Sequence, residues 1–195
     1  MRNPLHHSAW KSALLLGILL SATRVVSAQA LLTAQRSTEI TPFAQLALVS
    51  PDWGPTNNLG YTVGIDYTHF IRSSFVQPSL EFRYTRANGV TVNERSYAGG
   101  FKLQTTVHGI HPYATILAGH GNIDFNYALP NSNYHGDNSF IFAFGGGAEF
   151  NVTSLWRLRL DVTSQSWNTG TESLSPLTLG VGIAYSLPSH FRRVQ

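Results

Sequence analysis

The chain has 195 residues, no cysteine and a formal net charge of +3. Disulfides, thiolate metal sites and cysteine nucleophiles are therefore excluded. Arg2, Lys11 and Arg24 fall in a segment expected to be removed, which leaves ten basic against ten acidic residues and no electrostatic footprint for nucleic acid.

Residues 1–30 read as a secretory signal. Arg2 and Lys11 give the positive start, and residues 13–20 (Ala-Leu-Leu-Leu-Gly-Ile-Leu-Leu) give the apolar centre. Ala28-Gln29-Ala30, or Val26-Ser27-Ala28, offers small residues for cleavage. The run is shorter than the ~20 residues a spanning helix needs, and Arg24 interrupts it, which disfavours the alternative of an uncleaved anchor. Residues 31–38 form a short periplasmic lead.

Low charge, 17 glycines, abundant aromatics and no later apolar run then predict β-structure. About eight alternating segments follow, at 39–49, 59–70, 76–86, 94–105, 111–121, 139–152, 155–167 and 176–187. In the second, Tyr61, Val63, Ile65 and Tyr67 share one face, and Gly60, Thr62, Gly64 and Asp66 share the other. The third sets Leu80, Phe82 and Tyr84 against Ser79, Glu81 and Arg83. The fourth sets Tyr97, Phe101 and Leu103 against Ala98, Gly100 and Lys102. The sixth sets Phe140, Phe142, Phe144 and Phe150 against Ala143, Gly145, Gly147 and Glu149. The seventh sets Trp156, Leu158 and Leu160 against Arg157, Arg159 and Asp161. The eighth sets Leu177, Leu179, Val181, Ile183, Tyr185 and Leu187 against Thr178, Gly180, Gly182, Ala184 and Ser186. The first and fifth alternate too poorly for their faces to be assigned.

Alternation alone fits either a soluble sandwich or a membrane barrel. Four features favour the barrel. Aromatics of the apolar face gather near strand ends, as girdles do. The charged face is rich in glycine, which a narrow lumen needs and a solvated face does not. The strand count is even. The connections near 71–75, 106–110 and 152–155 are tight, while those near 50–58, 87–93, 122–138 and 167–176 are longer and polar. Short turns belong in the periplasm and long loops outside.

The closing strand, the Pro112-Tyr113 start of the fifth strand and Gly145-Gly-Gly-Ala-Glu-Phe150 together resemble the small eight-stranded outer-membrane barrels: the transmembrane domain of outer-membrane protein A, the opacity-type proteins and the wider outer-membrane β-barrel domain family. The resemblance covers residues 38–187. It implies an all-β, antiparallel up-and-down transmembrane barrel over 39–187, in the bacterial outer membrane. Thr178, Gly180, Ile183 and Tyr185 match that family's C-terminal signal for the barrel assembly machinery. The family often ends on this strand, whereas here a tail of residues 188–195 follows, expected in the periplasm. Outer-membrane lipid and lipopolysaccharide are the other implied partners, with no cofactor.

The inward charges are Asp66, Glu81, Arg83, Lys102, Glu149, Arg157, Arg159 and Asp161, four acids and four bases. Turning the seventh strand over would put Arg157 and Arg159 in lipid, at ~2–4 kcal/mol each near the midplane. Eight strands leave room only for side chains, so these charges are expected to pair as a plug. The function expected is a structural or surface-interaction role, with external loops facing the environment. A gated pore, a soluble lipocalin-like ligand-binding barrel and a lipid-modifying barrel enzyme are the alternatives. The His-any-Ser pattern of barrel deacylases is absent, and His69 lies across most of a ~25 Å band from Ser164 and Ser166. His108, His111, His120 and His135 lack metal-ligand spacing, so no metal is expected.

Overall fold

The computed structural model describes residues 37–52, 57–126, 136–169 and 172–187. The expected signal segment, residues 31–36 of the lead and the tail 188–195 lie outside the described residues, as does the centre of the third long connection.

Nine strands are present among the described residues: β1 (Thr38–Ser50), β2 (Asn58–His69), β3 (Val76–Asn88), β4 (Val92–Thr105), β5 (Ile110–Phe125), β6 (Gly136–Asn151), β7 (Trp156–Thr169), β8 (Glu172–Leu174) and β9 (Leu177–Tyr185). Each pairs antiparallel with its neighbour in sequence from β1 to β7, and β9 pairs with both β7 and β1. The sheet is thereby closed. β8 continues β9 along β7, and Ser175-Pro176 interrupts the two. Proline has no N–H to give the ladder, although its carbonyl still accepts from the Gln165 amide at 2.8 Å. The barrel therefore has eight staves. Following the pairings around it from Phe43 reaches Trp167 on β7 in one direction and Arg157 in the other, a stagger of ten residues. Such a stagger tilts the strands by roughly 35–45°.

Hydropathy sets the facing. On β7, Arg157, Arg159, Asp161, Thr163 and Gln165 are buried in the lumen, while Trp156, Leu158, Leu160 and Val162 point out. The strands whose faces the sequence left open are now assigned. Glu39, Thr41, Phe43, Gln45, Ala47 and Val49 of β1 face the lumen, as do His111, Tyr113, Thr115, Leu117 and Ile123 of β5. Both strands send apolar side chains inward as well as outward, which erases the hydropathy contrast.

The outer belt ends sharply. On β3, Val76, Pro78, Leu80, Phe82 and Tyr84 face out before Arg86; on β4, Leu103, Phe101, Gly99 and Tyr97 precede Arg95. This matches the ~9–11 residues of a tilted spanning strand. At the opposite rim Trp156 and Tyr185 pack ring to ring at 4.8 Å.

Tight turns at 70–75, 106–109 and 152–155 share one end of the barrel with the start of β1 and the close of β9; the second of them uses positive φ at His108 and Gly109. At the loop end, the connections near 87–93 and 167–176 are shorter than the sequence suggested. β3 and β4 stay paired to Asn88 and Asn93, and β7 stays paired with β8 to Thr169 and Glu172. Asn, Gly and Ser read as loop residues, yet above the belt they sit in a water-exposed ladder.

Closure leaves no edge strand in the belt, where β9 joins β7 to β1, for detergent to attack. The unboiled protein is expected to migrate differently from the boiled protein on a detergent gel; identical bands would contradict the barrel.

Candidate functional site

The interior of the barrel gathers the polar chemistry. Arg159, fully buried, is its centre. Nη1 donates to Asp66 Oδ2 at 2.8 Å and Glu149 Oε1 at 3.2 Å, and Nη2 donates to Glu81 Oε2 at 2.8 Å. The guanidinium also lies 3.8 Å from the ring centroid of Phe43 and 4.7 Å from that of Tyr113. Flat delocalised charge suits both the fork geometry and the stacking.

Three further bases complete the layer. Lys102 Nζ bonds Asp66 at 2.6 Å and Glu149 at 2.8 Å, and sits over Tyr113. Arg83 pairs with Glu81 and with Asp161, at 3.1 Å to the latter, and donates to Thr163 Oγ1 at 2.9 Å. Arg157 bridges Glu149 at 3.2 Å and Glu39 at 2.8 Å. Asp66 and Glu81 are direct cross-strand partners. Two carboxylates so placed repel, and Arg159 bonds both. All eight residues singled out from the sequence thus lie in one connected lumen cluster.

The sequence missed two of its members, Glu39 and Tyr113, and the neighbouring His111. Glu39 adds a fifth acid, with Thr41 and Ser186 hydroxyls donating to it at 3.0 Å. Tyr113 donates to Asp161 Oδ2 at 2.7 Å. His111 bonds Thr106 and Asn151 nearer the turn end. All three sit on the strands whose faces could not be assigned. The alternation of Glu39, Thr41 and Gln45 against Ile40, Leu46 and Leu48 was the available signal.

Towards the loop end the lumen changes character. Val92, Leu117, Ile123, Ile141, Trp167 and Leu174 form a buried apolar cluster. Trp167 donates its Nε1–H to Gln165 at 2.9 Å. Its ring occupies the space that a side chain at position 121 would need: a Cβ on Gly121 would lie 2.3 Å from it. The lumen is therefore filled twice, by ion pairs below and by an indole-centred apolar layer above. A soluble ligand-binding barrel would be lined with apolar groups and charged outside; this wall is the reverse.

The remaining candidates are dispersed. Thr178 and Gly180 face the lumen, whereas Ile183 and Tyr185 face out, all on the strand that closes the barrel against β1. His69 is exposed at the turn end, far along the wall from Ser164 and Ser166. No group of three or more His, Asp or Glu residues suited to a metal occurs among the described residues.

A closed eight-stave barrel with inward charges and an apolar outer belt has the fold of the small outer-membrane β-barrels. Solved structures that share it include the following two. Neisserial surface protein A (NspA) is 15% identical, with a TM-score of 0.51 over 78% of this chain and 98% of its own. Ail, the attachment invasion locus protein of Yersinia pestis, is 17% identical, with a TM-score of 0.51 over 77% of this chain and 97% of its own. No family model matches the sequence, and no curated protein matches it.

Replacing Arg159 with Leu would leave Asp66, Glu81 and Glu149 crowded around an uncharged side chain. Breaking a buried pair costs about 3–5 kcal/mol, so urea-titrated refolding into vesicles is expected to show a loss of that order. The exposed Arg95–Asp124 pair, 3.0 Å long, is the control; Arg95→Leu is expected to cost about 1 kcal/mol or less. Equal effects would place Arg159 in water.

Proposed function

We propose that this protein is a resident of the bacterial outer membrane with a structural or surface-interaction role and a non-conducting lumen. The observation that carries this reading is the double filling of the interior. Four bases and five acids pair in one layer, and Trp167 seats on Gly121 in another. An ion crossing the barrel would have to displace both. The reading is non-enzymatic because His69, at the turn end, is not brought to Ser164 and Ser166.

In this reading the turn end and both chain ends face the periplasm, and the loop end faces outside. Asn88, Asn93, Asn122, Asp124 and Asn138 stand above the belt there, as suits a water-exposed rim. The third connection, expected at 122–138, is shortened in the same way as the others, since β5 and β6 stay paired to Asp124 and Gly136. Outer-membrane lipid surrounds the belt. The closing strand, through Thr178, Gly180, Ile183 and Tyr185, would engage the barrel assembly machinery.

Planar-bilayer recordings test the lumen. The protein is expected to show no stable channels, and Trp167→Ala alone is expected to remain silent because the ionic layer persists. Trp167→Ala combined with Arg159→Ala is expected to conduct. Channels in the unmodified protein would overturn the non-conducting reading and favour a pore.

Cell fractionation tests the closing strand. Tyr185→Asp loses its ring contact with Trp156 and puts an acid at the belt rim, a modest loss of stability there. Accumulation in the periplasm beyond that loss is expected. Normal assembly of this variant would remove Tyr185 from the signal.

A further inference from the structure

Six acids are buried among the described residues, and five of them belong to the ionic layer. Glu39, Asp66, Glu81, Glu149 and Asp161 each pair with a lysine or an arginine. Glu94 is the exception. It is turned into the lumen, 6% exposed, and has no ion pair among the described residues. Its Oε1 is buried without a hydrogen-bond partner among them. Arg95, the next residue on β4, lies beyond Tyr97, the last outward residue of the belt on that strand. Glu94 therefore stands above the membrane-spanning part of the wall.

Its neighbours leave it uncompensated. Val92, two positions along the same face of β4, and Ile123, its cross-strand partner on β5, both belong to the apolar layer. Its partner on β3 is Ala87. Two lumen positions below Ala87 is Arg83, which is held by Glu81 and Asp161. On β6, Asp137 is the partner of Ile123 and shares the face of Ser139, so the charge it brings has the wrong sign. The described lumen-facing residues of β1, β2, β7 and β8 at the loop end, Val49, Asn58, Trp167 and Leu174, carry no charge. Arg86 and Arg95 point the other way. Burial without a base disfavours the carboxylate and pushes the pKa of Glu94 up to about 7.

We propose that Glu94 is a proton-operated latch on the apolar layer. As the neutral acid it stays beside Val92 and Ile123, and the layer closes the loop end of the lumen. When it releases its proton to water, the carboxylate has no base to pair with and must be hydrated. Water then enters and the layer opens, while the ionic layer beneath stays paired. The closed form holds the proton up to about pH 7, whereas a hydrated glutamate holds it only to about 4.5. Closure is therefore fully favoured below about pH 4.5 and weakens as the pH rises to about 7. Across that interval the opening constant rises on the order of a hundredfold. The two fillings of the lumen thus differ in kind: the lower is fixed, and the upper responds to pH.

Hydrogen exchange at the Trp167 indole, followed by NMR in detergent micelles, tests this. That N–H is bonded to Gln165 within the layer and exchanges when the layer opens. Its signal is assigned by its loss in Trp167→Phe. Exchange from any open state also quickens with pH. Each rate is therefore divided by that of Glu94→Gln, which cannot ionise, at the same pH. The ratio is expected to rise on the order of a hundredfold between about pH 4 and about pH 8. Asp137→Asn, compared with its own Glu94→Gln double variant, is expected to show a rise of the same order. A flat ratio would overturn the proposal, as would loss of the rise in Asp137→Asn, which would move the switch to that residue. If Glu94→Gln does not fold, Glu94→Leu is the reference. The unboiled protein is expected to migrate as a folded barrel at both pH values. Loss of the folded band at the higher pH would mean that the whole barrel responds, and would equally overturn the latch.

Discussion

Lipid offers a backbone no hydrogen-bond partner, and the architecture follows from that constraint. Each unsatisfied amide or carbonyl in hydrocarbon costs several kcal/mol, so a sheet that spans must close on itself. Here the closure is made by Phe43 to Ser50 of β1 against Leu177 to Ala184 of β9. Once the ring is closed with eight staves and a ten-residue stagger, the interior is too narrow for bulk water. Every side chain that points inward must then find its partner among the others.

The two layers of the lumen answer that demand in different ways. The ionic layer desolvates nine charges, a cost that mutual attraction offsets only with good geometry and full satisfaction. Arg159 meets most of this demand by reaching three carboxylates and two aromatic faces at once, while its Nε and Asp66 Oδ1 are buried without a hydrogen-bond partner among the described residues. The apolar layer avoids the cost altogether. Its one polar group, the Trp167 indole N–H, is bonded to Gln165. Some polar atoms nearby, including Gln45 Nε2, Glu94 Oε1 and Thr178 Oγ1, are buried without a partner among the described residues.

Much of this was legible in the sequence because a membrane barrel imposes a two-residue period and forbids charge on one face. Arg157, Arg159 and Asp161 alternate with Leu158 and Leu160, and the lipid penalty alone fixes which set points in. The reasoning failed where both faces are apolar. Phe43, Tyr113 and Leu117 face the lumen yet resemble belt residues, so β1 and β5 could not be oriented and Glu39, Tyr113 and His111 were lost with them. Trp167 was taken for a residue at the edge of a loop; only its pairing register and its seat on Gly121 place it inside. The connection at 87–93 was misjudged for a related reason, since Asn88 and Asn93 favour turns but tolerate a ladder that stands in water.

The break at Pro176 divides the last stave into two mechanically separate parts. Below it, β9 holds the ring shut against both neighbours; above it, β8 is paired, among the described residues, with β7 alone. Residues can therefore be gained or lost at the crown of this hairpin without shifting the register of the seam. A seam insulated in this way keeps its register whatever the length of the hairpin beyond Pro176.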